Sequence, residues 1–99
     1  MGPGRPFNYL YISELPISKE FVPRPILNSE PIELTYPEFE ALRLSDLEKL
    51  TQEEIAKRMN TSRGIVWRLL ESAREKIARA LTESRPIIIH PKGEVEKIE

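Results

Sequence analysis

The sequence predicts a mainly α fold: a tri-helical helix-turn-helix domain with a long third helix, plus short N- and C-terminal strands able to pair. Three observations carry that prediction. Thr51 and Glu54 stand at capping-box spacing, where each side chain satisfies an orphan N–H at a helix start. Asn60 stands where the apolar period breaks, and Asn is the non-glycine residue that best tolerates a left-handed backbone. From Val66 onward, Leu69, Leu70, Ala73, Ile77, Ala80 and Leu81 recur at helical spacing and form one long apolar face.

In chain order, residues 1–31 form an extended, Pro-rich N-terminal segment. Residues 1–6 (MGPGRP) are too rich in Gly and Pro for regular structure. Residues 7–12 (FNYLYI) are aromatic and β-branched, the composition of a short strand. Pro16, Pro23, Pro25 and Pro31 make residues 14–31 an extended connection, with Phe21 and Val22 as anchors to the core. Residues 32–83 form the helix-turn-helix domain. A brief extended piece at residues 32–34 leads to Thr35 and Glu38, a second capping box. Phe39, Leu42, Leu44 and Leu47 then follow on helix one. Arg43 beside Glu40 and Asp46 reads as a surface ion pair of little worth, and the glutamates of helices one and two as a solvated acidic face. Helix two runs from the Thr51 cap, with Ile55, Ala56 and Met59 inward. Ser62 caps helix three, which extends to Leu81 or slightly beyond. Residues 84–99 hold a strand at Ile87, Ile88 and Ile89, able to pair with residues 7–12 or with another chain, and a charged tail that frays.

Composition narrows the function classes. The 99 residues are 39% apolar and 31% charged, the balance of one small globular domain. Without Cys there is no disulfide, thiolate metal site or thiol nucleophile. No apolar run approaches the ~20 residues of a membrane span, and no signal peptide is apparent, so a cytoplasmic location without membrane contact is expected. His90 is the single histidine, with no ligand spacing around it, and reads as structural. No nucleophile–base constellation or phosphate-cradling Gly loop occurs. The chain reads as neither an enzyme nor a cofactor protein.

Net charge is −1, yet it is unevenly spread. Residues 30–54 carry eight acids against Arg43 and Lys49, a net of −6; residues 57–79 carry seven bases against Glu71 and Glu75, a net of +5. A basic stripe of this kind suits phosphates. The competing use is internal, with the acidic and basic halves packed against each other.

The candidate contact residues follow from the motif. Helix three presents Arg63, Gly64, Trp67 and Arg68 at the end that enters a major groove in such folds. Arg63 and Arg68 offer guanidinium donors matched to guanine O6 and N7. Gly64 would let backbone approach the duplex. Gln52, Thr61 and Ser62 fall where side chains and helix N-termini meet phosphates. Trp67 lies off the core face, free to meet a thymine methyl, a sugar or a protein partner. Phe7, Tyr9 and Tyr11 offer a third possibility, a stacking platform for single strands, though strand packing is the commoner use of such rings.

The stretches EALRLSDLEKL (residues 40–50), QEEIAKRM (52–59) and LLESAREKIARAL (69–81) resemble a family of small archaeal and bacterial proteins, domain of unknown function number 134. Its helix-turn-helix is similar to region four of bacterial sigma factors. The LPISKEFVPRP stretch (15–25) resembles the family's Pro-rich lead-in. The resemblance implies double-stranded DNA as partner, transcriptional control and no known enzymatic activity. Many members carry a Cys pair near the N-terminus that implies metal or redox sensing; this chain has none. A homodimer is expected, because one recognition helix reads few base pairs. The alternative is an adaptor that docks on transcription machinery.

Overall fold

Each helix begins at the cap predicted for it. In the computed structural model, which describes residues 9–91 and 95–97, the element order is β1 (Leu10–Ile12), β2 (Glu20–Phe21), β3 (Ile32–Thr35), α1 (Tyr36–Leu42), α2 (Gln52–Met59), α3 (Arg63–Glu83), β4 (Ile87–His90) and β5 (Val95–Lys97). At the start of α1, Thr35 N–H donates to Glu38 Oε1 at 2.8 Å and Glu38 N–H donates to Thr35 Oγ1 at 3.3 Å. At α2 the Thr51–Glu54 pair repeats the arrangement at 2.8 and 3.1 Å. Asn60 takes the left-handed conformation (φ 59°, ψ 50°), and Ser62 Oγ accepts from Ile65 N–H at 3.2 Å.

After Leu42, α1 widens into a π-helical turn, Arg43–Leu47, in which Glu48 N–H reaches back to the Arg43 carbonyl. The extra residue in this turn changes which side chains face inward. Leu44 is fully buried, whereas Leu47, expected on the inner face, is 73% exposed. Lys49 (φ 64°) then ends the helix.

Two apolar clusters share α3. Ala41, Leu44, Ile55, Ala56, Met59, Val66 and Leu70 form the tri-helical core. Ile12, Leu34, Tyr36, Ala73 and Ile89 form the second cluster, with Ile77 packed against it. The second cluster is the cover that the distal half of α3 requires, and β1, β3 and β4 provide it. Leu81 is not part of the face: it is 77% exposed, because it follows the buried Ala80 by one residue, about 100° around the helix.

The strands pair differently from expectation. β4 runs parallel to β3 (Ile32↔Ile87 to Thr35↔His90) and antiparallel to β2, giving the order β2–β4–β3. The N-terminal strand instead pairs parallel with β5, Leu10↔Val95 to Ile12↔Lys97, so residues 95–97 are not a frayed tail. β1 and β5 are thus tied together, and β4 is not the strand that pairs with β1. Phe21 and Val22 are exposed and so do not anchor the connection. Pro16 is buried, Leu27 N–H bonds the Ser84 carbonyl, and Arg85 Nε donates to the Glu30 carbonyl at 2.9 Å.

Helix one is also not a solvated acidic face, because Glu38 and Glu40 are buried. Glu38 joins the capping box to α3: Lys76 Nζ donates to Oε1 at 2.8 Å and Ser72 Oγ donates to Oε2. Burial pushes this carboxyl up. Hydrogen bonds from Lys76, Ser72 and the Thr35 N–H, with the Lys76 charge, outweigh burial and hold it below the usual carboxylate range. A lowered folded value means that its contribution is complete above the ordinary range and is lost as pH falls through the lowered value. Glu38→Gln should cost about 1.5–3 kcal/mol at neutral pH, the worth of hydrogen bonds to a charged group, and should flatten the acid-side loss. Urea midpoints from neutral into acid pH check this; parallel pH profiles for both proteins would contradict it.

Candidate nucleic-acid interface

The corner at Asn60 sets the site. Its left-handed backbone turns the chain between α2 and α3, and Thr61 N–H closes on the Ala56 carbonyl at 2.9 Å. The Asn60 side chain donates from Nδ2 to the Tyr9 carbonyl at 3.2 Å, which places β1 against the same corner. Beyond it, Ser62, Arg63, Gly64, Trp67 and Arg68 are exposed, and Gln52 and Thr61 are half-buried. Thr61 and Ser62 share one hollow with Leu10 and Asn60. Gln52 and Trp67, from different helices, share another with Glu71 and Arg74. Arg63, Gly64 and Arg68 line neither of these hollows. Of the three rings considered for stacking, Tyr9 and Tyr11 are half-buried and Phe7 lies outside the described residues.

Gly64 has no packing reason to be glycine. A Cβ there would meet only Ser62 Oγ, at 3.9 Å, an ordinary contact. Trp67 is 52% exposed, so its ring is not a core element.

The basic stripe divides in two. Its distal part is already neutralised: Arg74 pairs with Asp46 at 2.7 Å, Lys76 with Glu38 at 2.8 Å, and Arg79 with Glu75 and Glu83 at 3.1 and 3.2 Å. The Arg74 hydrogen bond in turn holds Asp46 below its ordinary range. Around the corner, Lys57, Arg58, Arg63 and Arg68 make no ion pair among the described residues. Arg58 makes one long contact, from Nη2 to Ser13 Oγ at 3.5 Å. The internal use of the basic stripe read from the sequence therefore describes its distal stretch, while the stretch at the corner carries no such pairing among the described residues. Lys57 and Arg58 belong with the candidate residues. Their signal was the charge count itself, which the motif positions alone do not use.

Among the described residues, no group of three or more His, Cys, Asp or Glu is placed to hold a metal ion, and no helix is long and apolar enough to cross a membrane. His90 lies half-buried in β4, with Nδ1 buried and unbonded.

The family model described as "Protein of unknown function DUF134" matches residues 1–98. The chain belongs to this family. Among its relatives, this DUF134 protein is 50% identical over 95 residues to a UPF0251 protein of Pyrococcus furiosus, covering 93% of this chain and 88% of the other. It is 39% identical over 95 residues to a UPF0251 protein of Archaeoglobus fulgidus, covering 96% and 90%. A UPF0251 protein of Clostridium tetani is 41% identical over 87 residues, 86% of this chain but only 59% of the clostridial one. No solved structure matches the DUF134 chain.

Proposed function

We propose that this protein is a cytoplasmic, sequence-specific double-stranded DNA-binding protein and a transcriptional regulator. It acts as a homodimer and inserts the N-terminal part of α3 into the major groove. The observation that carries the reading is the division of cations. Duplex affinity begins with neutralised phosphates, and Lys57, Arg58, Arg63 and Arg68 are the cations of the stripe that no described acid neutralises. They flank the corner of a helix-turn-helix, with Gln52, Thr61 and Ser62 as phosphate contacts. Arg63 and Arg68 reach base edges.

Replacing Arg63 and Arg68 together with alanine should lower duplex affinity steeply. Each good bidentate pair is worth about 1–3 kcal/mol, roughly 5- to 150-fold, and each lost phosphate contact lowers the salt slope by about one. Arg79→Ala, already paired twice, should change neither. Anisotropy titrations on duplex DNA across salt concentrations measure all three proteins. No binding by the parent at low salt, or unchanged binding in the double variant, would defeat the reading.

Gly64→Ala should raise stability by up to about 1 kcal/mol while weakening duplex binding, because the added methyl would hold the backbone off the DNA. Unchanged affinity would remove that role from Gly64. The exposed Trp67 favours a second reading, an adaptor for transcription machinery, since exposed aromatic surface often marks a protein interface. That reading predicts affinity for protein and indifference to duplex and salt.

A further inference from the structure

Residues 14–18 and Phe21 of β2 line, together with α1 and its π-helical turn, a groove of ≈ 530 Å³. Phe39 and Leu42 contribute to its lining from α1, and Leu15, Ile17, Phe21 and Leu47 from around it. The last four are large apolar side chains held in water. Ile17 is 101% exposed, Leu47 73%, and Leu15 and Phe21 about half. Together they leave on the order of 500 Å² of surface in water, the upper part of the ~300–600 Å² range for the largest patch on a monomer. With a polar rim added, such a patch approaches the ~800 Å² per partner of a standard interface.

Local structure keeps this surface open. Pro16 is buried, so the backbone between Leu15 and Ile17 is pinned while both branched side chains stay outside. The π-helical turn exposes Leu47 at the groove, and such turns occur frequently at functional sites. Two of the three charged groups that line the groove are paired within the chain, Arg43 with Glu40 and Glu48 and Asp46 with Arg74; Glu14, the third, makes no ion pair among the described residues. A rim with most of its charge paired suits a largely apolar partner surface. The patch itself has that character, and it combines a protruding knob, Ile17, with a recess. Knob and recess on one face are what a two-fold, self-complementary contact requires.

We propose that this groove is the two-fold interface on which a second copy of the chain docks, residues 15–17 of each copy entering the groove of the other. The inference rests on the duplex-binding reading for its reason to pair, since two half-sites call for two recognition helices.

Sedimentation of the full chain without DNA tests it. The parent should dimerise with a dissociation constant of about 10 µM or tighter, the range of a modest specific interface. Ile17→Glu combined with Leu47→Glu should sediment as a monomer with an unchanged circular dichroism spectrum, as both sites are exposed, while Ile17→Leu should remain a dimer. A spin label on Thr82→Cys, exposed, outside the groove and then the chain's only thiol, should give one discrete inter-subunit distance. A parent that stays monomeric to millimolar concentration, a doubly charged variant that still dimerises, or a label with no inter-subunit distance overturns the proposal. A parent that dimerises through these residues yet ignores duplex DNA upholds the interface and defeats the duplex-binding reading instead.

Discussion

Arg43→Ala is expected to destabilise the fold by about 3 kcal/mol, the lower end of the ~3–5 kcal/mol range for breaking a buried ion pair. The reason lies in its partner. Glu40 is 1% exposed, and Arg43 Nη2 reaches each of its carboxylate oxygens at 3.2 Å. Without the guanidinium, a buried negative charge loses its counter-ion. The cost stays at the lower end because Ser13 still donates to Glu40 Oε2, from N–H at 2.8 Å and from O–H at 2.5 Å. Arg43 also bonds Ser13 Oγ at 2.7 Å, so the pair is a junction between the N-terminal segment and helix one. Urea denaturation should show the loss as a lower midpoint. At about 4–8 °C per kcal/mol for a domain near this size, the thermal midpoint should fall well beyond experimental error. Replacing Glu40 and Arg43 together with apolar residues of similar volume should cost less than Arg43→Ala alone, since no charge is then stranded. A single-variant loss below about 1 kcal/mol, the range of an exposed pair, would contradict this account.

Leu70→Ala is expected to cost about 3–4 kcal/mol, within the ~2–5 kcal/mol range for Leu→Ala in cores. Leu70 is 1% exposed and packs in the cluster shared by α1, α2 and α3. Capping boxes fix the starts of α1 and α2, and α3 is continuous through residue 70, so the space vacated by the side chain cannot collapse cheaply. Stability of small domains is itself only ~5–15 kcal/mol. The variant should therefore unfold at clearly lower urea, and a cost under about 1 kcal/mol would mean that the helices repack around the gap.

Much of the helical frame was legible because its signals are local. Thr35 with Glu38, Thr51 with Glu54, Asn60 and Ser62 each act within three or four residues, and each does what its spacing predicts. The errors arise where the deciding partner is distant. Glu40 looked solvated because Ser13 lies 27 positions away, and Glu38 because Ser72 and Lys76 lie 34 and 38 away. The strand order depends on which edges meet in space, so isoleucines at 87–89 could not say that their neighbours would be β2 and β3. Leu47 and Leu81 fall outside the apolar face for a geometric reason. A 3.6-residue period does not foresee a π-helical turn, and a single apolar residue at the margin of a stripe falls on either side of it. At the candidate interface, the exposure of Arg63, Gly64, Trp67 and Arg68 followed from the motif. The split of the basic stripe did not, since that needed Asp46, Glu38 and Glu83 to be placed.

Asn60 occupies a corner where glycine is the commoner choice, and the structure gives that departure a reason. Glycine could adopt the same backbone angles, but it has no amide to hold the Tyr9 carbonyl. One side chain thus shapes the bend and fastens β1 to it, and β1 is hydrogen-bonded in turn to β5 near the opposite end of the chain. A displacement of the Asn60 corner would accordingly be carried to β1 and through it to β5, and a pull on either strand would be felt where α3 begins.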